Sequence, residues 1–231
     1  MRWINSHAYI NYIGNAILVL IAWASVGLAA AMAANSAAGK YLPVIRVGVY
    51  NYAHIGRMEL TEAERQAADL FARAGERVVW LEFKDKKRLA HSSPNDLAAD
   101  LVVRILKASA IRQVRRISGA DIMGEAIVAP GSGRPVAGRI ANVFYDRVQH
   151  VSTLWGLSPG QVLGDAIAHE LGHLLGARHS GRGVMKAHWT SRDLLLASCG
   201  KLQFVPAQAE LLRTAVLALH QDASPTLLAQ R

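Results

Sequence analysis

Apolar positions follow a strand-like pattern and then a helix-like pattern in the first half of the chain. Residues 44–50 are rich in β-branched side chains and predict a strand. Thr61, with Glu64 three residues later, predicts a capped helix start, and apolar residues follow at helical spacing until Gly75. Residues 78–83 are again rich in β-branched and aromatic side chains and predict a second strand.

Apolar segments at residues 122–128 and 139–148 predict two more strands. Residues 100–106 fit either a strand or a helix, and their Val and Ile content after a Ser-Ser-Pro-Asn break favours a strand. An amphipathic segment near the end of the chain, residues 206–219, predicts a helix. The order of strand, helix and several strands predicts an α+β domain built on a mixed sheet.

A longer segment between these regions predicts a helix that is buried on nearly all sides. Ser158 is a candidate cap, Pro159 suits the first helical position, and Gln161 is placed to reach back to the cap. Apolar residues then occur all round the helical projection as far as Leu175. Gly176 permits the positive φ that ends a helix.

This helix carries His169, Glu170 and His173 within its apolar sequence. Imidazoles four residues apart project from one face of a helix and suit nitrogens about 2.0–2.1 Å from a single Zn²⁺. Burying unpaired polar groups costs a few kcal/mol each, and a bound cation removes this cost. Glu170 lies about 100° round the helix from His169, near enough to reach a metal-bound water.

His179 supplies a third candidate ligand. A chain that turns at Gly176 can bring this side chain back to the metal from outside the helix. Three neutral imidazoles leave one tetrahedral position open, which is the pattern of catalytic rather than structural zinc sites. The sequence therefore predicts one catalytic Zn²⁺ bound by His169, His173 and His179.

Residues 169–179 read HELGHLLGARH, and Gly183, Val184 and Met185 follow. This combination resembles the metzincin clan of zinc endopeptidases, and Ser180 after the third histidine is most similar to its matrixin-like branch. The resemblance implies a zincin-type catalytic domain. Such a domain has a mostly parallel sheet with an antiparallel edge strand, a long active-site helix and a small C-terminal helical subdomain.

The same resemblance implies a role for each residue of the motif. The three histidines would bind zinc, and Glu170 would be the general base that takes a proton from the zinc-bound water. Met185 would occupy the turn beneath the metal without ligating it, and Gly176 would provide the bend between the helix and the third ligand.

A substrate cleft above the helix is also implied, with the edge strand as its upper rim. By position this rim falls at Gly124, Glu125 and Ala126. A peptide would add to this edge as a further strand.

Two residues near the motif have open roles. His188, in the segment 186–189 that would form the wall beyond the metal, either faces the cleft or is an ordinary, partly exposed imidazole. Asp165, one turn before His169, either orients an imidazole as a hydrogen-bond acceptor or is an exposed helix carboxylate.

Composition narrows the class of protein. The 231 residues are 52% hydrophobic and 19% charged, which excludes a disordered charged polymer. A single cysteine, Cys199, excludes an intrachain disulfide and a cysteine-rich zinc finger. The net charge of +9 is compatible with an anionic neighbour, but aromatic residues make up only 6% and the richest basic stretch, residues 84–88, is short. We therefore expect no nucleic-acid partner.

The amino terminus predicts export. Arg2 is the only charged residue before Lys40, and residues 13–34 form an almost wholly apolar run, whereas spanning a bilayer takes about 20 residues. The small residues Ala31 and Ala33 suit a cleavage site. We expect residues 1–34 to be a signal peptide or a membrane anchor that tethers the chain to the cytoplasmic membrane, and residues 35–231 to be an extracytoplasmic or secreted peptidase domain.

The leading functional hypothesis is an exported zinc-dependent endopeptidase that acts on polypeptides. One alternative is a zinc hydrolase acting on cell-wall peptide amides, which the basic net charge favours. Another alternative is a non-catalytic basic module at the membrane that contains zinc, although a structural zinc site has no use for Glu170.

Overall fold

A computed structural model describes residues 42–82, 99–107, 123–128 and 139–221 of the chain. From Pro43 onward these residues belong to one unit. The predicted signal or anchor segment lies outside the described residues. Within the described ranges, no helix is both long and apolar enough to cross a membrane.

Five strands and five helices make up the described part of this unit. The strands are β1 Val44–Asn51, β2 Arg77–Glu82, β3 Leu101–Leu106, β4 Gly124–Val128 and β5 Arg139–Phe144. The helices are α1 Arg57–Ala74, α2 Tyr145–Trp155, α3 Pro159–Leu174, α4 Ser191–Ser198 and α5 Pro206–Gln221.

The strands form one sheet in the order β2-β1-β3-β5-β4. The first four strands in this order are parallel to one another, and β4 pairs antiparallel with β5, so that Gly124 lies opposite Val143 and Ala126 opposite Ala141. The prediction of an α+β fold with a mostly parallel sheet is confirmed, and its antiparallel strand lies at the edge.

Packing of α1 against α3 forms the centre of the core. At Gly164 of α3 an added Cβ would lie 2.6 Å from the carbonyl oxygen of Ala63 on α1, so the two helices approach closely only because this side chain is absent. Both helices contribute fully buried apolar side chains, which include Leu70, Phe71, Leu163, Ile167 and Leu171.

Helix α1 begins four residues before the predicted cap at Thr61, which is an exposed residue inside the helix. Gly56 occupies the N-cap position, and the Asn51 side chain closes the preceding turn by bonding both the N–H and the carbonyl of Ile55 at 3.0 and 2.9 Å. The early start buries Leu60 in the core. The predicted end at Gly75 is confirmed.

The strand predicted at residues 139–148 is wrong in its second half, because the chain leaves the sheet at Phe144 and enters α2. Tyr145, Val148 and Ser152 are the buried residues of α2, and their spacing is helical. The β-branched side chain of Val148 made this segment resemble a strand.

Helices α3 and α5 match the predicted positions. Ser158 lies at the N-cap of α3, but its hydroxyl donates to Glu62 Oε2 at 2.7 Å rather than capping the helix, and Gln161 donates to the carbonyl of Ala197. Neither predicted capping bond forms, because α1 and α4 supply competing acceptors. Helix α5 buries Leu212 and Val216 completely, as its amphipathic pattern predicts.

A buried carboxyl at the end of α1 has no hydrogen-bond partner among the described residues. Glu76 is fully buried, and neither of its oxygens is hydrogen-bonded. Burial raises the pKa of Glu76 to about 7, although the positive charge of Arg213 opposes the rise. The native state therefore retains this proton at pH values where the unfolded chain, with a pKa near 4.5, has lost it.

We expect this group to make stability fall with rising pH. The stabilisation that protonated Glu76 gives is fully present below about pH 4.5 and is lost as the pH rises through about 7. Over this range the free energy of unfolding falls by up to about 1.4 kcal/mol per pH unit. Glu76→Gln should flatten the pH dependence of the free energy of unfolding, measured with urea between pH 5 and 8. Asp69→Asn, which changes an exposed carboxylate of α1, is the control. An unchanged slope in Glu76→Gln would contradict the assignment.

Candidate metal centre

Helix α3 places two histidines next to each other on one face. His169 and His173 are one turn apart, and their Nε2 atoms are 3.0 Å from each other. The other sides of α3 are buried, and Leu171 and Leu174 lie in the core. His173 is only half-buried, so the face that carries it borders open space.

The turn after α3 returns the chain to the same point. Gly176 has φ 92°, and the N–H groups of Gly176 and Ala177 donate to the carbonyls of His173 and Gly172 at 3.0 and 2.9 Å. His179 follows, with its Nε2 3.1 Å from His173 Nε2. The three histidines predicted as ligands therefore lie close enough together to bind one metal ion.

Hydrogen bonds to backbone carbonyls fix the ring tautomers. His169 Nδ1 lies 2.8 Å from the carbonyl oxygen of Val184, and His173 Nδ1 lies 2.8 Å from that of Ala177. A carbonyl only accepts, so each Nδ1 carries the proton and each Nε2 presents a lone pair. Two acceptor nitrogens at 3.0 Å repel each other unless a cation lies between them.

The spacing of these nitrogens fits a tetrahedral ion. Two ligands about 2.05 Å from a tetrahedral centre are about 3.3 Å apart, close to the observed 3.0 and 3.1 Å. Burial lowers the pKa of His169 to about 4 and also lowers the pKa of His173, in each case against a hydrogen bond that raises it. Both rings are therefore neutral at pH 7 and can act as ligands.

Met185 packs against the helix that carries His169 and His173. It is fully buried, and an added Cβ on Gly172 of α3 would lie 2.6 Å from its sulfur. Its carbonyl accepts from Ser180 N–H at 3.0 Å, and the neighbouring Val184 N–H donates to Gln203 at 2.9 Å. These bonds hold the segment whose Val184 carbonyl orients His169.

Glu170 is buried between α3 and the edge strand. Only 7% of the residue is exposed, and an added Cβ on Gly124 would lie 2.5 Å from its Oε1 atom. Burial, together with the negative charge of Glu125, raises the pKa of Glu170 to about 8. Gly124 thus has a role that its sequence position did not suggest, because it leaves room for this carboxyl.

An open cavity of about 790 Å³ adjoins the three histidines and Glu170. The predicted rim residues Gly124, Glu125 and Ala126 line one side of it. Residues 186–189, which include His188, line another side, so His188 faces the cavity.

The sequence analysis missed the contribution of α2 to this cavity. Four of its residues line the wall, namely Arg147, His150, Val151 and Trp155. Their spacing of three, one and four residues is helical and is the signal that could have identified them.

Asp165 takes neither of the roles considered from the sequence. It is fully buried, and its Oδ1 accepts from Gln66 of α1 at 2.8 Å, whereas His169 is oriented by Val184. Burial raises the pKa of Asp165 to about 7.

Comparison with protein-family models and with curated proteins finds no match to this sequence.

We expect the full chain to bind one equivalent of Zn²⁺ through the three Nε2 atoms. His173→Ala should abolish stoichiometric binding, because His173 is the ligand that both other imidazoles approach most closely. His188→Ala, which removes an imidazole from the same cavity, should retain it. Metal analysis after equilibrium dialysis measures both. Equal loss in the two variants would contradict the assignment of ligands.

Proposed function

We propose that this chain is a zinc-dependent endopeptidase. The observation that carries the proposal is the convergence of three imidazole Nε2 atoms at one end of an open cavity that Glu170 and an antiparallel edge strand also border. The cavity volume is in the range of ligand-binding sites.

Zinc is the metal that this donor set fits best. A site of three imidazoles with an open fourth position is typical of catalytic zinc, and among the described residues the group that could hold a metal consists of the three histidines. The carbonyl bonds to the Nδ1 atoms of His169 and His173 are orienting contacts of the kind that such sites use. Zn²⁺ bound there would supply Lewis-acid chemistry, polarising a carbonyl group and acidifying water.

Glu170 is suited to moving a proton. Its carboxyl borders the cavity beside the three imidazoles, and in its ionised form one oxygen can accept a proton from the attacking water and later give it to the leaving amine. The absence of a side chain at Gly124 leaves room for the carboxyl between the helix and the edge strand.

The edge strand offers a means of holding an extended peptide. β4 pairs with β5 on one side and is the last strand of the described sheet, so its other side can form main-chain hydrogen bonds with a substrate strand. Gly124, Glu125 and Ala126 line the cavity on this strand. A peptide paired there would lie alongside Glu170.

Further support comes from the resemblance to metzincins. The resemblance implies an antiparallel strand at the cleft and a buried methionine beneath the metal. An antiparallel strand, β4, lines the cavity, and Met185 is buried against Gly172 of α3, which supports the resemblance. We therefore place the chain among metzincin-like, matrixin-like enzymes. We also propose that it is exported, on the basis of the apolar run at residues 13–34.

The same site would serve a zinc hydrolase of cell-wall peptide amides, which the net charge of +9 favours. The two functions differ in substrate rather than in mechanism. Digestion of a mixed peptide library and of cell-wall peptides in parallel distinguishes them.

Glu170→Gln should abolish peptide cleavage while retaining one equivalent of Zn²⁺. The amide has nearly the same shape but cannot accept the proton, and loss of a general base costs about 10²–10⁴-fold in kcat. Glu210→Gln on the exposed face of α5 is the control. Cleavage that persists in Glu170→Gln would overturn the proposed mechanism, and a wild-type chain that cuts no peptide would overturn the proposed function.

Gly124→Ala should lower kcat at least about tenfold and leave Zn²⁺ binding intact. The new methyl group would occupy the position of the Glu170 carboxyl, and displacing a catalytic group by about 1 Å can cost about 100-fold. Gly56→Ala, where an added Cβ meets nothing within 4 Å, is the matched control. Equal kcat in the two variants would show that Gly124 does not position Glu170.

A further inference from the structure

One face of α2 lines the cavity. It carries a cation that has no role in the packing of the fold or in the proposed mechanism. Arg147 and His150 lie on this face with Val151 and Trp155. Arg147 is half-buried, and among the described residues it has no hydrogen-bond or ion-pair partner.

The other cation of the cavity wall is already neutralised. Lys186 Nζ lies 2.6 Å from Asp193 Oδ2, and Asp193 also accepts from the N–H and hydroxyl of Thr190 at 2.7 Å. Burial raises the pKa of Asp193, but the bonds from Lys186 and Thr190 outweigh burial and hold it below its usual value. Arg147 is therefore the cation of the described cavity wall that remains available to a ligand.

Helix stability does not explain Arg147. It is the third residue of α2, within the first turn, where a positive charge opposes the helix dipole. Residues three and four positions further along are His150 and Val151, which give it no acidic partner on the helix face. Neither the helix dipole nor a neighbour on the helix face therefore accounts for a guanidinium at this position.

Charges are also distributed unevenly across the cavity. Glu125 lies on the side formed by the edge strand, whereas Arg147 lies on the side formed by α2. A substrate carboxylate in the cavity is attracted to the α2 side by the guanidinium. Trp155, which is 48% exposed, and Val151 provide an apolar surface for the alkyl part of such a group.

We propose that Arg147 forms a subsite that binds a carboxylate of the peptide substrate. This inference rests on the proposed endopeptidase function and adds a substrate class, namely peptides with a carboxylate at a fixed distance from the scissile bond. The planar guanidinium can pair with both oxygens of a carboxylate, and His150 adds a second donor. The carboxylate is supplied either by an acidic side chain or by the carboxyl terminus of the substrate.

Cleavage profiles of the full chain on two mixed peptide libraries distinguish these sources. With amidated carboxyl termini, an acidic side chain would appear as enrichment of Asp and Glu at one position relative to the cut. With free carboxyl termini, recognition of the terminus would appear as cuts at a fixed distance from the end, and amidation would abolish this pattern.

Variants of Arg147 should change this selectivity. Arg147→Gln should reduce kcat/KM for the preferred anionic peptides about 10- to 100-fold and leave their neutral counterparts nearly unchanged. Arg147→Glu should shift the preference toward Lys or Arg at the same position. Arg192→Gln on the exposed surface of α4, outside the cavity wall, should leave the profile unchanged.

Binding to the Glu170→Gln chain separates failure of the subsite from failure of the proposed function. Fluorescence anisotropy with labelled peptides that differ only as Glu or Gln should show the same 10- to 100-fold preference, lost in the double variant with Arg147→Gln. Preferential binding without cleavage by wild type would overturn the endopeptidase but retain the subsite. The subsite is overturned if neither library nor peptide pair shows an anionic preference, or if that preference survives Arg147→Gln.

Discussion

The candidate metal centre depends on two hydrogen bonds from imidazole Nδ1 atoms to backbone carbonyls. The carbonyls of Val184 and Ala177 hold the protons of His169 and His173 away from each other, so that both Nε2 lone pairs point to one position. The Ala177 carbonyl reaches His173 because the chain turns at Gly176. The Val184 carbonyl is held near His169 because Val184 is hydrogen-bonded to Gln203. The backbone after α3 is thus as much a part of the site as the histidines.

Burial of α3 gives this arrangement its rigidity and its chemistry. The helix packs against α1, the sheet and the Met185 segment, and a hydrogen bond to a backbone carbonyl restrains each of its two imidazoles. The same burial lowers the pKa of His169 and raises that of Glu170, so one environment favours the neutral form of both side chains. Packing and electrostatics therefore act in the same direction at this site.

Local periodicity was sufficient to predict four strands, α3, α5 and the spacing of the three histidines, because each is encoded within a short segment. Local periodicity failed where contacts between segments distant in sequence determine the structure. Gly124 lies 46 residues before Glu170, and nothing in its neighbourhood indicates that a carboxyl needs its space. Helix α2 was missed because its β-branched residues continue the pattern of β5, while burial of Tyr145, Val148 and Ser152 selects a helix.

The brevity of the edge strand has a consequence for the kind of chain that the proposed peptidase would accept. β4 has five residues, which corresponds to about 17 Å of ladder. A polypeptide can pair along that length only where its own main-chain groups are free, so helices, paired strands and compact loops would be rejected. Susceptibility to attack would then follow from local unfolding of the target more than from its overall sequence.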